Sequence, residues 1–488
     1  MFIARGQRDG YRDGGASRSS DEGDVMFVKR RAGSVSERKR ETMTGHSNTR
    51  MTRTTKLDRI RNRAQTHPET VFHNLGHVVT AELMHEAYQQ LDGKKAVGID
   101  KVDKETYGKE LSSNVCRLIE KIRRRQYRHK ASRIVEIPKE DGSTRPLAIS
   151  CFEDKMVEWA VSKILEQIFE PIFLPFSYGF RPKRNCHDAL RAVTRYTYQF
   201  TDGATVEIDI RKCFNMMPHE HLISFLRKKI SDERFLWLVE ALIIAPVIEG
   251  GDAVALKRGC PQGSIASPIL SNIFLHYVID EWFKTVRQTH LKGRAELVRY
   301  ADDMVFIFEE PEDAKKIFAV LGKRLNKFGL DMHEDKSSMV PTGRKAAQRA
   351  AEVGKRIPTY AFLGFTCYWG LSRKGFWRFK YTSRRDRFTA TLKELREFLW
   401  THLNVRDTNE LLQSVIRRVK GWINYHAISD NRRRVYSFLS QAQRLVLSWY
   451  NRRGGRRVTH WKEHKARLAR VGFPRTFKTI SMFDISKI

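Results

Sequence analysis

From about Leu57 the chain alternates between apolar residues at helical spacing and short apolar runs closed by Gly, Pro or acidic turns. Val115, Leu118, Ile119 and Ile122 recur at intervals of three and four, which lines one face of a helix, and a basic stretch from Arg123 to Arg133 follows. Arg133 to Lys139 then reads as extended, Asp141-Gly142 as a turn and Arg145 to Ile149 as a returning strand, together a hairpin with a basic residue on each arm. Residues 153–170 return to helical periodicity. The segment 204–214 predicts a buried strand ending in a polar turn, and Gly250-Gly251 mark the tip of another hairpin. Ser267-Pro268 opens a helix, with Ser as the expected N-cap and Pro at its first position. Residues 296–308 read as two β arms around a tight acidic turn, and a helix from Ala314 to Phe328 leads to Gly329. Beyond Arg384 the pattern is helical, with expected helices at about 384–403, 409–428 and 431–453. Helices mixed with antiparallel hairpins predict an α+β fold.

Composition sharpens this picture at both ends. Residues 1–55 are rich in Gly, Ser, Arg and Asp without apolar periodicity and predict a disordered basic leader, within which Met43 or Met51 offers an alternative start. Between 384 and 470 there are 21 Lys or Arg against 7 Asp or Glu. The whole chain carries 90 basic against 56 acidic residues, a formal charge of +34. So large an excess costs self-repulsion and calls for a polyanion, above all nucleic acid. No apolar run approaches the ~18 residues of a membrane span. Phe2-Ile3-Ala4 gives way at once to Arg5, so no secretion signal is read, and a cytoplasmic protein is expected. The six cysteines stand singly, without a CxxC pair, which argues against zinc ribbons and disulfide frameworks.

Candidate chemistry centres on three carboxylates. Asp209 lies between the apolar residues Ile208 and Ile210, where an unpaired carboxylate is costly, and Asp302-Asp303 occupy the acidic turn. An Asp-Asp pair alone is ordinary turn chemistry, and Asp209 alone fits a strand end. Brought together on adjacent antiparallel strands, the three would form an all-oxygen site suited to Mg²⁺, and two such ions can clamp both oxygens of an in-line phosphoryl transfer. Their neighbours favour the second reading. Lys139 and Arg145 flank the first hairpin and suit a triphosphate. Phe214 follows Asp209 by five residues, Gly259 to Pro268 forms a Gly/Pro loop able to line a nucleotide pocket, and Lys336 follows the acidic turn.

In chain order the strings IPKEDGSTRPLAI, FSYGFRPKRNCHDAL, VEIDIRKCF, GCPQGSIASPILSNIFL, VRYADDMVFIF and FLGF resemble the successive motifs of reverse transcriptases, most closely bacterial group II intron-encoded proteins, over about 70–370. The resemblance implies a right-hand polymerase with fingers (56–200), an antiparallel-sheet palm (201–380) and an α-helical thumb (381–488). It implies that Asp209, Asp302, Asp303 and the Ile210 carbonyl hold two Mg²⁺ ions, for which Mn²⁺ substitutes. Phe214 falls at the family's steric gate, where a bulky ring would exclude a 2′-hydroxyl. Gln262 matches the residue that tracks the incoming nucleotide, Lys139 and Arg145 the finger residues on the triphosphate, and Lys336 a proton donor to pyrophosphate. The chain departs from the family in Arg211-Lys212-Cys213 and in His333-Glu334-Asp335, the latter beside Lys336.

Gly421 to His426 resembles the family's thumb, or maturase, signature. Around it Arg417, Arg418, Lys420, Arg432, Arg433 and Arg434 form a basic set able to track template-primer or structured RNA. The implied partners are an RNA template, a DNA primer, dNTPs and a group II intron RNA, with no membrane, in a bacterial, nucleoid-associated protein. No paired-cysteine endonuclease is expected after the thumb. Two other expectations stay open: an RNA-binding maturase whose polymerase activity is dispensable, and a domesticated relative in phage defence or DNA repair.

Overall fold

A computed structural model describes residues 56–138, 144–249, 251–453 and 459–483. The expected leader, Lys139, the turn Asp141-Gly142 and Gly250 lie outside the described residues.

The first hairpin pairs β1 (Arg133–Pro138) with β2 (Thr144–Ile149) antiparallel, Ile137 facing Arg145. The next helix, Phe152–Phe169, buries Met156, Val157, Ala160, Val161, Ile164, Leu165 and Ile168. Glu153 and Asp154 in its first turn suit the positive end of its dipole. After the helix Cys186–Gln199 comes β3 (Gly203–Ile208), followed by the small hairpin of β4 (Val247–Glu249) and β5 (Asp252–Val254). The acidic turn joins β6 (Ala295–Tyr300) to β7 (Asp303–Phe308), and β8 (Ser338–Thr342) comes after the helix Pro311–Lys327.

These strands form one antiparallel sheet in the order β6-β7-β3-β8. Its two faces feed different cores. Ala204, Val206, Ile208, Leu297, Met304, Phe306 and Phe308 face the large core that also contains the Phe152–Phe169 and Ser267–Leu275 helices. Val298, Val305 and Ile307 face a second core shared with the Cys186–Gln199 helix and a further sheet. That sheet holds β9 (Thr359–Phe362), β10 (Phe365–Leu371) and β11 (Trp377–Ser383) in the order β11-β10-β9. Cover on both sides explains why the run from Met304 to Phe308 is apolar at every position. Each buried phenylalanine there contributes about 2–3 kcal/mol.

The basic C-terminal region forms helices Arg385–Thr401, Thr408–His426 and Arg432–Arg453 around a third core, in which Trp422 stacks on Phe438 at 3.8 Å. A fourth helix, Trp461–Arg470, was not expected from the sequence. The bundle is tied to the β9–β11 sheet through the Tyr425 hydroxyl, which donates to the Leu363 carbonyl, and through Asn431, which bonds Ser383 twice.

One sequence expectation is corrected in detail. Ser267 is the first residue of its helix rather than the cap, which is Ala266. Its hydroxyl donates instead to the Pro261 carbonyl and closes the preceding loop.

Candidate active site

The last pair of β3 with β7 is Ile208 with Met304. Asp209 follows that last pair and Asp303 precedes it, and the alternation of side chains along each strand puts both on the same face of the sheet. The Asp209 backbone is pinned from the far side. Its amide donates to Ser337 Oγ at 3.1 Å, and its carbonyl accepts from the His333 amide at 2.8 Å. Ile210 bridges Met332 in the same way, with its side chain buried.

The acidic turn is held in a costly shape. Ala301 has φ +57°, a region that strains any residue with a Cβ. A buried network keeps it there. Arg299, fully buried, donates through Nη1 to the Ala301 carbonyl at 3.1 Å and to Asn272 Oδ1 at 3.1 Å. Its Nε and Nη2 grip Asp280 at 2.7 and 2.5 Å, and Nη2 also reaches Ser177 Oγ. Asn272 Nδ2 donates to the Gly179 carbonyl at 2.7 Å. Gly179 lies flat against the turn, where an added Cβ would come within 2.3 Å of the Ala301 nitrogen.

The carboxylates sense one another. Loss of water raises the Asp302 carboxyl above the ordinary range, and the charge of Asp209 adds to the effect. Asp303 is pushed up to about 6, first by the surrounding protein and then by Asp302 and Asp209. Although Asp303 opens to solvent on one side, the protein packed around the rest of the carboxyl dominates its environment. Burial takes Glu207, on the same face of β3 as Asp209, to about 7, and Asp303 and Asp209 contribute. Arg145 acts in the opposite sense on Asp302, as do Arg387 and Arg384 on Asp303. Acids that repel one another in this way form a donor set that a divalent cation stabilises. Among the described residues no group of three or more His, Cys, Asp or Glu side chains is placed to hold a metal ion. Mg²⁺ does not need one, since it commonly binds one or two carboxylates and completes its shell with water and substrate phosphates.

Phe214 sits in the short helix Cys213–Met216, half-buried, and its carbonyl accepts from the Cys260 amide at 2.7 Å. That bond joins it to the Gly259–Pro268 loop. The loop also meets β2, because the Ala148 amide donates to the Gln262 carbonyl at 2.7 Å. A buried carboxylate, Glu158, fastens the same loop from beneath. It accepts from the Ile265 amide, from Ser150 Oγ at 2.7 Å and from His129 Nε2 at 3.0 Å. Burial alone would lower the His129 pKa, but Glu158 and Asp154 together raise it to about 9.

Of the residues named from sequence, Asp209, Asp302, Asp303 and Arg145 therefore share one electrostatic neighbourhood, with Phe214 and Gln262 on the adjoining loop. Lys336 is exposed in a turn whose next residue, Ser337, holds Asp209. The thumb set lies on the C-terminal bundle. There Arg417, Arg418, Lys420, Arg432 and Arg433 are exposed, with Arg418 also lying over Phe398, whereas Arg434 is half-buried over Phe388. Sequence reasoning missed Glu158, Asp280 and Arg299. A signal was present for Arg299 and Glu158, each a charged residue inside an apolar run.

Residues 137–367, from β1 into β10, match the family of reverse transcriptases (RNA-dependent DNA polymerases). Over these residues, just under half of the chain, the protein is similar to the reverse transcriptases. It is 34% identical over 224 residues to the group II intron-encoded protein LtrA of Lactococcus lactis, covering 45% of this chain and 37% of that protein. It is 26% identical over 452 residues to an uncharacterised 91 kDa protein in the cob intron of Schizosaccharomyces pombe, covering 79% and 54%. Protein YkfC of Escherichia coli is 35% identical over 214 residues, covering 43% and 54%. The chain thus spans about half the length of these relatives or less. The reverse transcriptase match includes Arg145, Asp209, Phe214, Gln262, Asp302, Asp303 and Lys336. Among the described residues no helix is long and apolar enough to cross a membrane.

Proposed function

We propose that this protein copies RNA into DNA, extending a DNA primer with dNTPs at the Asp209–Asp302–Asp303 cluster. Two Mg²⁺ ions, when bound, supply the charge that activates the primer 3′ oxygen and steadies the leaving pyrophosphate. Asp209, Asp302 and Asp303 would hold them, with the Ile210 carbonyl as a further ligand. Arg145 and Lys139 draw the triphosphate toward the cluster, Gln262 lines the nucleotide pocket, and Phe214 stands against the sugar. Lys336 is assigned the proton for the leaving group. Fingers over 56–200, palm over 201–380 and thumb over 381–488 describe the working division. The basic faces of the thumb bind template-primer and a structured group II intron RNA.

The observation that carries this reading is that the β3–β7 register ends at Ile208–Met304, immediately before Asp209 and after Asp303, beside a turn whose strain is held by a fully buried ion pair. The test is primer extension on an RNA template with Mg²⁺ as the added ion. The wild type is expected to extend and Asp302→Ala to fall to background. Equal, background-level incorporation by both overturns the polymerase reading, while RNA binding by the same preparations would then favour a protein that acts on RNA without copying it.

A further inference from the structure

The FSYGFRP segment has so far supplied only Gly179 and Ser177 to the turn's support. Its most conspicuous residue is Phe180, a large apolar side chain 52% exposed, at φ +58°. A bulky residue rarely adopts that backbone region, and such strain persists only where the surroundings enforce it. Here the residues on either side do so. Before it, the Gly179 carbonyl is held by Asn272. After it, Arg181 is buried, with its guanidinium on both Glu170 carboxylate oxygens and on the carbonyls of Leu174 and Ser177. The backbone is clamped on both sides, and the ring between the clamps is directed outward.

The ring stands edge-on to Phe214, with centroids 6.4 Å apart and planes at 77°. No other ring packs against Phe214 among the described residues. The Phe214 backbone is fixed independently, through the Cys260 amide on its carbonyl and through Gly259, φ +77°, where an added Cβ would come within 2.5 Å of that same oxygen. Backbone anchoring does not fix a side-chain rotamer. The Phe180 ring adds a contact that restricts the half-buried Phe214 side chain beyond its backbone anchors.

We propose that Phe180 is a positioning residue that sets the rotamer of Phe214 and so sharpens the choice of deoxy- over ribonucleotides. The inference rests on the reading of Phe214 as the sugar gate. A residue kept for packing would face the core and adopt an ordinary backbone. Phe180 does neither, and its strain is explained by the need to bring a ring to this one place.

The experiment uses the full chain in primer extension with Mg²⁺, comparing kcat/KM for each dNTP with that for its ribonucleotide. Phe180→Gly removes the ring and, because glycine accepts φ +58° freely, is expected to melt no lower than the wild type. Its selectivity is expected to fall about three- to tenfold, the worth of one edge-on ring contact. The fall appears as faster ribonucleotide use rather than slower deoxynucleotide use, which a general loss of structure would not produce. Phe180→Tyr keeps the ring and the selectivity. Phe214→Val lowers selectivity by itself, and adding Phe180→Gly to it changes nothing further.

An unmoved ratio in Phe180→Gly, or an equal fall in the Phe214→Val background, overturns the proposal while leaving the gate in place. If Phe214→Val leaves the ratio unmoved in an active enzyme, the gate reading fails and this proposal with it. If the wild type does not extend above Asp302→Ala, the polymerase reading fails first and takes both with it.

Discussion

Replacing Arg299 with Met tests whether the ion pair beneath the acidic turn serves geometry more than stability. Arg299 and Asp280 are both fully buried, and the guanidinium makes hydrogen bonds to Asp280, Asn272, Ser177 and the Ala301 carbonyl. Burial alone would raise the Asp280 carboxyl, yet Arg299 holds it below the usual range. Without Arg299 that carboxylate keeps only His276 beside it, and breaking the buried pair costs about 3–5 kcal/mol. A second change, Asp280→Leu in the Arg299→Met background, removes the orphaned charge. A buried pair can often be exchanged for apolar groups at little cost, so the double variant is expected to recover most of the loss, to within about 1–2 kcal/mol of the wild type. Polymerase activity is expected not to follow. The Ala301 carbonyl loses its donor in both variants, and the strained turn that carries Asp302 and Asp303 keeps only the packing of Gly179 against it. Urea unfolding followed by circular dichroism gives the stabilities, and primer extension at saturating dNTP gives the activity. The reasoning is refuted if Arg299→Met costs under about 1 kcal/mol, or if activity returns along with stability in the double variant.

Three further outcomes are expected. Phe214→Val should raise ribonucleotide incorporation relative to deoxynucleotide in a competition assay, and unchanged discrimination would remove the gate. Protonated His129 is stabilised in the fold, its pKa raised to about 9 from an ordinary 6.5. That contribution, on the order of 3 kcal/mol, is complete below the unfolded pKa and is lost as pH rises through about 9. Wild-type stability should therefore drop between pH 7 and 10, a window well above the Asp154 carboxyl at about 6. His129→Leu should begin lower and stay flat, and parallel curves for the two proteins would contradict this. Neutralising Arg432 and Arg433 should weaken RNA binding and reduce the slope of log affinity against log salt by about 0.7–0.9 for each phosphate that is no longer neutralised. Arg434, stacked over Phe388, is left in place so that packing is not disturbed. A salt slope equal to that of the wild type would mean that neither arginine touches phosphate.

What could be read in the sequence follows from how local each signal is. The β1–β2 hairpin, the Asp302-Asp303 turn and the long helices declare themselves within a window of about ten residues, through alternation, turn residues or helical spacing. The bundle helices begin and end within a few residues of the expected bounds, and Asp407 caps Thr408–His426 by accepting from the Asn409 and Glu410 amides. Pairings between distant segments carry no such local mark. That β8 joins β3, that β9 to β11 form a separate sheet, and that Glu158 reaches Ile265 are outcomes of tertiary packing. Arg299 and Asp280 show the limit well. A charge inside Leu297-Val298-Arg299-Tyr300 demands a buried partner, but sequence alone cannot choose among the acids that could supply it.

The position of the acids also follows from the sheet itself. Along β3 and β7, side chains on one face pack against the large core and those on the other against the second core, so a carboxylate in mid-strand would be stripped of water on either side. Glu207, the one acid within β3, stays there with an amide partner in Ala361 and with its carboxyl raised to about 7 by burial. One step beyond the last β3–β7 pair the cover ends, and there Asp209, Asp302 and Asp303 stand. They are close enough to the low-dielectric interior to repel one another strongly, yet Asp209 and Asp302 are only half-buried and Asp303 is exposed. Rigidity must then come from outside the sheet, since its ladder has stopped. Ser337 and His333 supply it for Asp209, and Arg299 with Gly179 supply it for the acidic turn. A site at the end of a sheet thus needs buried polar anchors that a site within it would not, which is why the least conspicuous polar residues here bear most directly on the chemistry.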